Sequence, residues 1–240
     1  MIERLRKLIF LLDNYKEFRR ITNRHHDDIN SFEILRPLLE NRPYVPFTKY
    51  ALSPYAITLV INDILLHDRA CVVEVGSGVF TLLLARLIEQ NQLSIKFYSL
   101  ESDLVWTEKV RTQLRNEHLE QHVQFIHSPL GTSGWYDKSI IQKSLVGTKI
   151  DCLLVDGPKS VYGQERLDAI PFFLDYLDLN SFTIFLDDAN RSGERDILQT
   201  WSKIIDIKAM LHAGKVGQIT RQSPYYIAPG WNSEEMIRQL

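Results

Sequence analysis

The stretch Val72-Val73-Glu74-Val75-Gly76-Ser77-Gly78-Val79-Phe80-Thr81-Leu82-Leu83-Leu84-Ala85 decides the fold. Its apolar run ends at Val75, two glycines follow, and an apolar helical pattern opens at once, so the order reads strand, tight turn, helix. Glycine lets the backbone turn sharply and approach a ligand closely, and the first amides of the following helix point at the same spot. A plain tight turn has the same local pattern, so the residues around it must decide between the two. A dinucleotide fold carries a third glycine three residues after the second, where this chain has Thr81.

Working outward, an alternation begins at Ser53-Pro54, a helix start with Ser as N-cap and Pro at the first helical position. Strands are predicted at 71–75, 95–100, 123–127, 150–155 and 182–186, and helices at 80–90, 103–115, 137–145, 165–178 and 194–204. Residues 205–211 and 215–220, on either side of Ala213-Gly214, read as a closing hairpin. Strand and helix in regular alternation mean parallel strands joined by right-handed crossovers, with helices on both faces. The expected architecture is α/β: a Rossmann-like, doubly wound, mostly parallel seven-stranded sheet with an antiparallel last strand, preceded by an N-terminal helical segment. Residues 1–52 form that segment and its connector, and residues 53–240 form the main domain.

In the N-terminal segment, Ile2, Leu5, Ile9 and Leu12 stand at helical spacing, and Arg4, Arg6, Lys7, Arg19, Arg20 and Arg24 lie mostly off that stripe. This segment is a candidate surface for a homo-oligomer. His25-His26-Asp27-Asp28 reads as a polar loop, since adjacent ligands on one short segment seldom converge on one metal ion. Pro37, Pro43 and Pro46 predict an irregular connector whose aromatics Tyr44, Phe47 and Tyr50 either pack or line a pocket.

The 28 basic and 30 acidic residues nearly cancel, so nothing global draws the chain to nucleic acid. The apolar run at Leu8–Leu12 is too short for a secretory signal, and no stretch reaches the length of a membrane span. A soluble, cytoplasmic protein is expected. Cys71 and Cys152 each open a predicted core strand, make no metal-ligand spacing and read as buried apolar residues.

Ligands of such sheets collect beyond the carboxyl ends of the strands. Strand one ends in the glycine turn. Strand two ends at Glu101, as far beyond the glycines as a ribose-binding acid should lie, although Glu101 also stands where it could cap the next helix. Strand three ends at His127-Ser128, strand four at Asp156-Gly157-Pro158-Lys159, and strand five at Asp187-Asp188-Ala189-Asn190-Arg191. Three aspartates on adjacent strand ends repel one another, which points to a cation, a raised pKa or a cationic substrate; Arg191 and Arg195 are alternative ion-pair partners.

Over roughly residues 53–222 the chain resembles the class I S-adenosylmethionine-dependent methyltransferases. More narrowly it is similar to a bacterial subgroup with Glu-x-Gly-Ser-Gly, an acid followed by a helix with an early Trp, Asp-Gly-Pro, and Asp-Asp-Ala-x-Arg-x-x-Glu; here these are Glu74–Gly78, Glu101 with Trp106, Asp156–Pro158, and Asp187–Arg191 with Glu194. Phe80 replaces the last glycine of the family's usual motif. The resemblance implies S-adenosylmethionine bound by Glu74, Gly76, Ser77, Gly78, Glu101, Ser128 and Asp156, with the methionine part near the glycines, the ribose on Glu101 and the adenine near Ser128. It also resembles the metal-dependent catechol-type O-methyltransferases. That implies Mg²⁺ or another divalent cation on Asp156, Asp187 and Asp188, with catalytic work by Asp156, Lys159 and Asp187; an amide stands in that family where this chain has Asp188.

The expected reaction is O-methylation of a small molecule or glycan by displacement at a sulfonium methyl, with a base or metal activating the acceptor hydroxyl. A non-catalytic S-adenosylmethionine-binding module, suggested by Phe80, and a nicotinamide-dependent oxidoreductase, weakened by Thr81, are the alternatives. An RNA methyltransferase is disfavoured by the near-neutral charge.

Overall fold

The computed structural model describes residues 2–159, 164–213, 215–222, 227–229 and 237–239. Helix α1 runs from Ile2 to Ile34, followed by the short α2 (Arg36–Leu39), which takes Pro37 into its first turn, and by α3 (Pro54–Leu66). Ser53 Oγ accepts from the Ala56 amide at 3.3 Å, so the predicted N-cap and Pro54 open α3 together.

The sheet then assembles from β1 (Cys71–Val75), β2 (Lys96–Glu101), β3 (Gln124–His127), β4 (Cys152–Val155) and β5 (Thr183–Leu186). Their crossovers are α4 (Val79–Asn91), α5 (Leu104–Asn116), α6 (Lys138–Ser144) and α7 (Ala169–Phe173), and α8 (Ser192–Ile205) leads to the hairpin β6 (Met210–His212) and β7 (Val216–Thr220). With β8 at Ile237–Gln239, the strand order is β3-β2-β1-β4-β5-β7-β6-β8. The first five strands are parallel, β7 inserts antiparallel between β5 and β6, and β8 (Ile237–Gln239) adds an eighth, antiparallel edge strand beyond the seven expected.

The sheet is doubly wound because its strands are apolar on both faces. Val72, Cys152, Leu154 and Phe185 share one core with α3, α4 and α5, whereas Val73, Val75, Leu153, Val155, Ile184 and Leu186 share the other with α6, α7 and α8. Both cysteines are free and buried.

Three expectations need correction. His25–Asp28 is part of the continuous α1 and not a loop; Asp28 Oδ1 accepts from the Tyr55 amide at 3.2 Å, helping to cap α3 from outside. The helix expected over 165–178 is a 3₁₀ turn, the five-residue α7 and a second 3₁₀ turn, because Pro171 supplies no amide for a continuous ladder. Pro37 does not break the chain but opens α2. The stripe at Ile2, Leu5, Ile9 and Leu12 concerns side chains outside the described residues, as does Gly214 of the hairpin. No described helix is long and apolar enough to cross a membrane.

Candidate functional site

Register brings the unusual residues into one row. Val75 pairs with Leu100 on β2 and Val155 on β4, and Val155 pairs with Leu186 on β5. The residues just beyond these, Gly76, Glu101, Asp156 and Asp187, therefore stand side by side at the carboxyl edge.

The turns after β1 and β4 touch backbone to backbone. Gly76 has φ +101°, and a Cβ there would stand 2.8 Å from the Gly157 amide nitrogen. A Cβ on Gly157 would in turn meet Tyr136 Oη at 2.6 Å and Gly76 Cα at 3.0 Å. Val75 O accepts from both the Asp156 and Gly157 amides, at 2.9 and 2.6 Å. Gly78 is different: its φ of −178° suits any residue, and a Cβ there would meet nothing within 4 Å among the described residues. The space beside Gly78, at the start of α4, is open.

Beneath the turn, Glu74 is 1 % exposed. Its Oε2 accepts from Thr81 Oγ1 at 2.5 Å and Ser99 Oγ at 2.7 Å. Since Ser99 spends its proton on Glu74, the 2.8 Å contact between Ser77 Oγ and Ser99 Oγ is donated by Ser77. Thr81 Oγ1 also accepts from the Gly78 amide at 2.8 Å, so the buried carboxyl and the turn are one network. Burial pushes the Glu74 carboxyl up to about 8 against the two hydroxyls that hold it down. Phe80 does not enter this network; it is buried edge-to-face against Phe97 at 6.2 Å, within the α4 core. Its side chain thus belongs to packing and leaves the glycine turn intact.

Glu101 lies at the next strand end, where Asp103 and not Glu101 is the N-cap of the following helix. Its Oε1 accepts from the Ser102 and Asp103 amides at 2.7 and 2.9 Å, and its Oε2 from the Ser77 amide at 3.1 Å. Asp103 is the N-cap of α5, accepting from the Trp106 amide at 3.0 Å. Oε2 therefore has one protein donor and capacity for another. Trp106, which is 39 % exposed, donates its indole N–H to Ser77 O at 2.8 Å and so pins the glycine turn from α5. Ser128 is wholly buried, with its amide on Glu101 O at 2.9 Å and its hydroxyl on Asp137 O at 3.1 Å.

The ends of β4 and β5 bring Asp156, Asp187 and Asp188 together, with ligand-capable oxygens all within 4.8 Å of one another. Burial and the other acids raise Asp156 and Asp187 above the ordinary carboxylate range, and Arg166 and Lys215 oppose that rise. Arg166, only 3 % exposed, lies 3.5 Å from Asp156 Oδ1 and donates to the main-chain carbonyls of Asp156, Pro158 and Asp187. Lys215 Nζ stands 3.3 Å from Asp187 Oδ1 and 3.9 Å from Asp188 Oδ1. Arg191 reaches Asp188 Oδ2 at 2.8 Å. Each acid thus faces a resident cation.

Of the residues singled out from sequence, Glu74, Gly76, Ser77, Gly78 and Glu101 converge on one turn, and Asp156, Asp187 and Asp188 on its neighbour. Ser128 is spent on main-chain contacts, and Lys159 is exposed with no ion pair among the described residues. Tyr44 and Tyr50 of the connector are exposed, while Phe47 packs edge-to-face on Phe32. Arg166, Lys215 and the Trp106–Ser77 bond escaped the sequence reading. For Arg166 and Lys215 no local pattern signals the role, since their partners lie on other strands; Trp106 was visible as an early helix residue, but not its reach back to the turn.

Residues 73–189, just under half of the chain, match a family model described as a methyltransferase domain. No curated protein matches the chain in sequence. Among solved structures, it is similar to an O-methyltransferase from Bacillus cereus in complex with SAH, at 13 % identity and a TM-score of 0.53, covering 82 % of this chain and 91 % of that one. It is similar to a putative O-methyltransferase from Klebsiella pneumoniae at 13 % identity and 0.52, covering 77 % and 87 %. It is also similar to a precorrin-6y C5,15-methyltransferase from Geobacter metallireducens at 13 % identity and 0.52, covering 75 % and 98 %. At such identities the likeness is one of fold.

Proposed function

From the match of residues 73–189 to a methyltransferase-domain model, we propose that the protein is an S-adenosylmethionine-dependent methyltransferase acting on a hydroxyl of a small molecule or glycan. The observation that carries the reading is the open space beside Gly78, set between the α4 N-terminus and the Glu101 carboxylate. The Gly76–Ser77–Gly78 turn takes the methionine part and Glu101 Oε2 a ribose hydroxyl; Glu74 acts from beneath, through Thr81 and Ser99, and does not reach the open space itself. The Ser128 hydroxyl is buried and spends its proton on Asp137 O, so it does not donate to the adenine end.

When bound, the cofactor supplies an electrophilic sulfonium methyl. The chain's residues align the acceptor and take its proton. Asp156 is the base: its carboxyl stands next to the glycine turn, and burial beside Asp187 raises its proton affinity. Asp187, matched by Lys215, fixes the charge behind it. The neighbours do not set the acceptor atom, since one is a C5,15-methyltransferase; the case for oxygen rests on a base at this edge.

Two alternatives lose their motives. Phe80 packs in the core, so it gives no reason for a cofactor-binding module without catalysis. The antiparallel β7 between β5 and β6 departs from the all-parallel order of dinucleotide folds. Calorimetry with S-adenosylhomocysteine and transfer of labelled methyl to hydroxylated acceptors test the reading. Failure of the folded protein to bind the cofactor product would sink it.

A further inference from the structure

The three aspartates form the cluster in which a divalent ion would be sought, yet their surroundings are those of a site already charge-matched. Asp156 faces Arg166, Asp188 faces Arg191, and Asp187, which is 3 % exposed, has Oδ1 without a hydrogen bond among the described residues and the Lys215 ammonium 3.3 Å away. The same ammonium is 3.9 Å from Asp188 Oδ1, so one resident cation is shared by the two carboxylates. Its position is built in. The Lys215 amide donates to His212 O at 2.9 Å, and the Lys215 carbonyl accepts from the Ala189 amide at 2.7 Å, which stitches the β6–β7 turn to the loop carrying Asp187 and Asp188. Asp188, at φ +61°, holds that loop in a left-handed turn.

We propose that the Lys215 ammonium takes the place of a metal ion in this crevice, and that the protein binds no divalent cation between Asp187 and Asp188. Lys215 keeps Asp187 charge-matched, and acceptor activation falls to a protein base. The proposal rests on reading this edge as the acceptor side of a methyltransferase, but its test does not depend on transfer.

Mn²⁺ is titrated into the full chain and followed by the electron paramagnetic resonance signal of the free ion, with S-adenosylhomocysteine calorimetry on the same preparations. The wild type is expected to show no saturable binding below about 1 mM, and Lys215→Met, which removes the ammonium paired with Asp187, to bind Mn²⁺ on the order of tenfold more tightly. Lys215→Arg, which keeps the charge, should behave as the wild type. Saturable Mn²⁺ binding by the wild type that is lost in Asp187→Asn would overturn the proposal, and so would a folded Lys215→Met with no gain. Should Lys215→Met not fold, the wild-type titration decides alone. A wild type that ignores S-adenosylhomocysteine would refute the methyltransferase reading and leave the Mn²⁺ result standing.

Discussion

Gly76 and Gly78 are two residues apart in one turn, yet the structure predicts opposite consequences for replacing them with alanine. At Gly76 the backbone sits at φ +101°, and a Cβ would lie 2.8 Å from the Gly157 nitrogen and 3.1 Å from its Cα. The left-handed backbone costs about 1–3 kcal/mol and the overpacking against main chain about as much again. Gly76→Ala should therefore lose about 2–6 kcal/mol of stability, a drop in melting temperature on the order of 10 °C for a chain of this size. At Gly78 the backbone is extended and a Cβ meets nothing within 4 Å, so Gly78→Ala should stay within about 0.5 kcal/mol of the wild type. Its methyl would instead fill the space assigned to the cofactor and weaken S-adenosylhomocysteine at least about tenfold, or about 1.4 kcal/mol. Denaturant unfolding and calorimetry on the two variants separate these effects. A Gly78→Ala protein that binds S-adenosylhomocysteine like the wild type would refute the placement of the cofactor, and a Gly76→Ala protein of wild-type stability would refute the contact between the turns.

Three further outcomes follow from the neighbours of that turn. The Glu74 carboxyl, pushed up from 4.5 to about 8, keeps its proton in the folded state while the unfolded chain has lost it. Wild-type stability should thus fall by up to about 1.4 kcal/mol per pH unit between those two values. Glu74→Gln should flatten that slope, and identical pH profiles from urea titrations would contradict it. Trp106→Phe removes the 2.8 Å indole bond to Ser77 O while keeping most of the ring. It should cost about 0.5–1.5 kcal/mol and show in cofactor affinity more than in melting temperature. Arg166→Met strips a buried guanidinium from three carbonyls and from Asp156; a loss of about 3–5 kcal/mol in denaturant unfolding is expected, and near-wild-type stability would mean that the guanidinium does not hold the β4 and β5 ends together.

The parallel core of the sheet was legible because its strands are short apolar runs, each followed by a residue that does not belong in a core. Gly76, Glu101, Asp156 and Asp187 each announce a strand end, and parallel register does the rest. What was not legible is set by contacts between distant parts of the chain. His25–Asp28 looks like a loop until α1 is seen to lie along α3, where Asp28 caps a neighbour. The glycine motif makes Phe80 look like a defect, but that position faces Phe97 inside the core, where an aromatic side chain packs well. Lys215 sits in a hairpin whose sequence carries no sign of the acids it meets.

The same contacts hold the proposed donor and acceptor residues together as one site although they come from different strands. Val75 O holds the amides of Asp156 and Gly157, Gly76 and Gly157 leave no room for a side chain between them, and the Tyr136 hydroxyl crowds the same position at Gly157. The glycine turn and Asp156, the proposed base, therefore cannot move apart without breaking main-chain hydrogen bonds. Methyl transfer depends on aligning two substrates more than on any single strong group, so a fixed distance between these turns serves the reaction directly. Arg166 extends the constraint from β4 to β5 by binding carbonyls on both, while Trp106 extends it from β1 to α5. The chemistry proposed above falls to the acids, but their relative positions are set by glycines, a buried arginine and one indole.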